Sequence, residues 1–116
     1  MNALIEEIFR DFCVDGRRVP VSFLRYEGHN EPYVTYQQTD ADTPLSGDDA
    51  LLAYVAYYDF DVYAKGNYLA IAQAVKDTLR QNGFVWQPSR SGSDQYEPDT
   101  GYYHKTLNFA IYRKEE

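Results

Sequence analysis

The most regular pattern in the chain runs over residues 50–65, where inward and outward positions alternate. Tyr54, Ala56, Tyr58, Phe60 and Val62 fall on one face of an extended strand. Val55, Tyr57, Asp59, Asp61 and Tyr63 fall on the other. The first set predicts a core face; the second predicts an amphipathic face that meets water or a partner. After Gly66-Asn67 the period changes from two to 3.6. Tyr68, Ile71, Ala72, Val75 and Leu79 form one stripe, which predicts a helix over 68–82 with Asn67 as N-cap and Gly83 as the residue that ends it. A first helix is predicted over 2–13, because Leu4 or Ile5, Ile8, Phe9 and Phe12 recur at spacings of three and four. Val14-Asp15-Gly16 closes it.

Residues 19–26 read as a strand with Val19, Val21 and Phe23 on one face, and Pro20 places it at an edge or a strand start. A loop around Gly28, Asn30 and Pro32 leads to a second strand over 33–38, expected to pair with the first as a hairpin. Residues 39–49 and 88–101 read as two long polar loops that order on docking. A short strand is predicted over 84–87. The closing strand, 102–113, has Leu107, Phe109 and Ile111 inward. The predicted order is α-β-β-β-α-β-β in one domain spanning 1–116. That order is α+β, with a mainly antiparallel sheet and two helices packed on one face.

Composition adds two facts. Of the 116 residues 16% are aromatic, with 12 Tyr against 6 Phe. Tyr carries an apolar body and a polar tip, which suits either an interface or a Tyr-rich sheet with no partner. The formal net charge is -7. Binding a nucleic acid needs clustered cations to displace counterions, so nucleic-acid and anionic-lipid binding are disfavoured. No apolar run is long enough to span a membrane as a helix. The opening MNALIEEIFRDF is charged within six residues and lacks a signal-peptide core. The expectation is a protein made and used inside a cell, or packed into a particle assembled there.

Candidate chemistry is sparse. Eight acids lie between Glu27 and Asp61, and no Lys or Arg lies between Tyr26 and Ala64. Asp40-x-Asp42 and Asp59-x-Asp61 could each offer two carboxylates to a hard cation, but lack the spacing of a calcium loop. They read as solvated acidic surface, with a weak ion at a subunit contact as the alternative. His104 lies near Asp94, Glu97 and Asp99 in sequence, which suits a general base or, more simply, an interface histidine. Cys13, at the end of an apolar stripe, reads as a buried thiol. No phosphate-binding glycine loop, zinc-protease or serine-hydrolase motif occurs. No catalytic residue, metal ligand or cofactor site is assigned, and the expectation is a protein that is not an enzyme.

Three stretches resemble a known family: Tyr57-Tyr58-Asp59-Phe60-Asp61-Val62-Tyr63-Ala64-Lys65-Gly66 with the helix after it, Gly83-Phe84, and Tyr96-Glu97-Pro98-Asp99-Thr100-Gly101-Tyr102-Tyr103-His104-Lys105-Thr106-Leu107. They resemble the tail-completion proteins, also called tail terminators or tail-to-head joining proteins, of siphophages and prophages. The likeness covers about residues 19–113. It implies a virion protein at the head-tail junction, assembled in the bacterial host cytoplasm. Such a subunit forms a ring, often hexameric on the tail and monomeric in isolation, and its partners are the tail tube protein and the head connector proteins. The candidate interface residues are Tyr57, Asp59, Asp61, Tyr63, Tyr96, Asp99 and His104. Asp59 and Asp61 are expected to face either a DNA channel or basic residues of a neighbour, such as Arg17, Arg18 or Lys105. A neck or head-completion protein of the same particle, a small acidic DNA-mimic inhibitor, and a small enzyme using His104 with Asp99 or Glu97 are the competing readings.

Overall fold

The computed structural model describes residues 2–26, 28, 32–46 and 51–114. The chain opens with α1 (Asn2–Ile8), then a two-stranded hairpin of β1 (Cys13–Val14) and β2 (Arg17–Arg18). A six-stranded sheet is built from β3 (Val21–Phe23), β4 (Tyr33–Ser46), β5 (Leu51–Ala64), β6 (Val85–Trp86), β7 (Gln95–Glu97) and β8 (Tyr102–Lys114). The second helix, α2 (Tyr68–Gln81), joins β5 to β6, and a turn of 3-10 helix (Pro88–Arg90) follows β6. Strand order is β3-β4-β5-β8-β6, with β7 on the same side of β8 as a second short neighbour. The class is α+β, with a mostly antiparallel sheet and both helices contributing to one core, in roughly the predicted order of elements.

The period-two pattern of β5 sets the layering. Ala56, Tyr58, Phe60 and Val62 are buried, while Val55, Tyr57, Asp59, Asp61 and Tyr63 are half-buried on the reverse face. Phe60, Val62, Leu107 and Phe109 of the sheet bury with Ile71, Val75 and Leu79 of α2, all at 3% exposure or less. From the first helical segment Ile5, Phe9 and Phe12 join the same cluster. At the end of α2, Phe84 N–H donates to Leu79 O at 3.0 Å and Gly83 N–H to Arg80 O at 3.4 Å. This paired capping needs Gly83 in the left-handed region, where its φ is 89°.

Several expectations are corrected. The first helix ends at Ile8, and the chain then turns into β1–β2, whose Asp15 (φ 53°) and Gly16 (φ 79°) occupy the two central turn positions. Asp-Gly there is a tight hairpin turn rather than a helix stop. β3 is only three residues long and runs parallel to β4, with Val21 opposite Val34, so the expected hairpin does not form. A parallel partner is reachable because the return path has to span only a three-residue strand. Leu24 (φ 66°) reverses the chain, with Arg25 N–H donating to Phe23 O at 2.7 Å, a strained three-residue turn.

The first of the two predicted loops is largely strand, and the second contains one short strand. Residues 39–46 continue β4 along β5, with register breaks around Thr39 and between Asp42 and Leu45. Pro44 is tolerated because the outer side of β4 is an edge there. The part of that loop at 47–50 lies outside the described residues. Within 88–101, Gln87 N–H donates to Asn108 O, Gly92 N–H donates to Thr106 O, and β7 pairs with β8. The segment remains mostly loop and 3-10 turn, tied to β8 by these bonds and by the three-residue β7. Asn67 is no side-chain cap: it sits at φ 58° and gives its amide to Asp15 Oδ2 at 2.8 Å. Cys13 is exposed rather than buried, because α1 has already ended before it.

Two stability predictions follow from the core. Leu79→Ala should lower unfolding free energy by about 2–5 kcal/mol in denaturant melts, because a fully buried Leu leaves a cavity; a change under about 0.5 kcal/mol would show that this helix face is not packed as described. Tyr36 is 1% exposed, yet its hydroxyl has no hydrogen-bond partner, and burial pushes its pKa up to about 12. Tyr36→Phe should therefore leave stability unchanged or raise it by up to about 1 kcal/mol, since an unpaired buried hydroxyl is a desolvation cost. A loss of more than about 1 kcal/mol in the same melts would show that the hydroxyl is bonded.

Candidate functional site

Because the helices sit on one side, the reverse face of the sheet is covered only by its own side chains. The registers place its residues in rows across β4, β5 and β8. Tyr33, Tyr63 and His104 form one row, Thr35, Asp61 and Thr106 the next, and Gln37, Asp59 and Asn108 the third. Five of the seven predicted interface residues come together here: Tyr57, Asp59, Asp61, Tyr63 and His104. Tyr96 does not. It lies 4.8 Å from Tyr103, which stacks on Tyr68 of α2 at 4.9 Å, so it belongs to the helix side. Asp99 sits in the exposed turn between β7 and β8.

The first row is a ladder of rings. Tyr26 stacks on Tyr33 at 4.9 Å, Tyr33 on Tyr63 at 4.9 Å, and Tyr63 on His104 at 4.3 Å. The rings turn their faces to one another and their edges outward. Such a stack cannot serve as a platform for bases, which need an open ring face. Burial, reinforced by the Asp61 charge, pushes the Tyr63 pKa up to about 12, so its hydroxyl stays a donor.

The second and third rows are polar: Thr35 and Asn108 are buried, Asp59, Asp61 and Thr106 half-buried, and Gln37 exposed. Asp61 Oδ1 accepts from His104 Nε2 at 3.0 Å and from the Thr106 hydroxyl. Both groups converge on one carboxylate, and the Thr106 hydroxyl also lies 3.4 Å from His104 Nε2. Asp59 Oδ1 accepts from Asn108 Nδ2 at 2.7 Å. Burial raises the Asp59 pKa; the Asn108 hydrogen bond pulls it back, Asp61 pushes it further up and Arg90 lowers it. Asn108 is 2% exposed, and its side-chain oxygen is buried without a partner. At the far end Arg90 lies 3.8 Å over the Tyr57 ring and 3.2 Å from Asp40. Asp40, Asp59 and Asp61 are thus hydrogen-bonded or ion-paired within the chain.

Lys105 does not serve this face. It points to the helix side and bonds Asp94, which also accepts from Tyr68 at 2.9 Å; together these donors hold the Asp94 carboxyl below its usual range. Arg18 is engaged with Arg10 O at 2.9 Å. His104, Thr106 and Asn108 alternate along β8, a polar alternation that could have assigned Thr106 and Asn108 to the face, which the sequence reading did not do. Arg90 and Asp40 had no such signal, because their meeting depends on the fold. Among the described residues no group of three His, Cys, Asp or Glu side chains is placed to hold a metal.

A scan against protein-family models gave no match to this sequence, and no curated protein matched it.

The raised Asp59 pKa makes a signed prediction. A folded pKa above the unfolded one means that the charged carboxylate weakens the fold at neutral pH. That penalty fades as pH falls through the folded value. Asp59→Asn keeps an acceptor for Asn108 Nδ2. It should raise the melting temperature at pH 7, with the gain vanishing by about pH 3, where the native Asp59 is itself neutral. A variant less stable than the native protein at pH 7 would contradict the desolvation argument.

Proposed function

We propose that this chain is a structural virion protein of a tailed phage or prophage. It caps the tail tube as a homo-oligomeric ring and joins the tube to the head, without catalysis. The observation that carries the reading is the coincidence of motif and architecture. The stretches that resemble tail-completion proteins are those that build β5, α2, β7 and β8. They present the half-buried polar and aromatic face opposite the helices. That face suits contact with other subunits: Tyr edges and fixed carboxylates supply adaptable donors and acceptors around a desolvated centre. The net charge of -7 suits a ring through which DNA must pass without being gripped. The proposed partners are the tail tube protein and the head connector proteins, and the proposed state is a hexamer on the tail and a monomer when free.

The test is negative-stain microscopy of the purified protein mixed with tail tubes that lack their terminal cap. Discs at one tube end, and tubes that no longer elongate, are the expected result. Bare tube ends at saturating protein would overturn the assignment, and binding to head vertices alone would transfer it to the neck.

A further inference from the structure

We draw no further inference here: the strongest candidate, the apolar groove beside the outer edge of β8, lined by Val55, Val85, Ala110 and Ile111 with the exposed Tyr112 at its rim, carries nothing because nothing in the structure shows what covers it.

Discussion

Phe60 is the residue on which the rest of the arrangement depends. It is fully buried at the middle of the central strand, and its ring meets Phe9 at 5.9 Å, Tyr36 at 5.6 Å, Phe84 at 6.5 Å and Phe109 at 5.8 Å. Those four partners come from the segment after α1, from β4, from the end of α2 and from β8. One side chain thus ties both helical segments to the sheet. Because side chains alternate along a strand, Phe60 inward forces Asp59 and Asp61 outward. A one-residue slip of β5 would bury two carboxylates beneath the helices and expose Phe60, so the hydrophobic core and the polar face specify one register between them.

The polar face is then a consequence of packing and not an independent design. Its centre carries costs that the core does not: a desolvated Asp59 and a buried, unpartnered oxygen on Asn108. Such groups weaken a free subunit unless something else recovers the lost interactions. The face is otherwise knitted together by its own hydrogen bonds and ring stacking, so a partner docking on the proposed interface would have little side-chain freedom left to remove.

Much of the core was legible in the sequence because its signals are local. The two-residue alternation of β5 and the 3.6 period of α2 each identify buried positions without knowledge of a partner. The same is true of Leu107, Phe109 and Ile111. What stayed hidden depends on contacts distant in sequence. Residues 39–46 and 95–97 are polar enough to read as loops, and they are strands only because β5 and β8 offer them ladders. The parallel pairing of β3 follows from a strained turn at Leu24, where nothing in the residue type announces a positive φ. Asp15-Gly16 was the opposite case, a hairpin signal present in the sequence and read as a helix stop. Of the proposed interface, the β5 residues were visible by alternation, whereas His104 was singled out by its acidic neighbours in sequence and by the family resemblance. Tyr96 and Asp99 were grouped with them only by nearness in sequence to His104, which pairing across a strand does not respect.

The most direct test of the central claim is a cryo-electron microscopy reconstruction of the head-proximal end of the native tail in particles that carry this protein. The expected result is a closed ring of copies there, with the Asp59–Asp61 face against neighbouring protein. A ring position filled by another chain, with this protein absent from the particle, would contradict it.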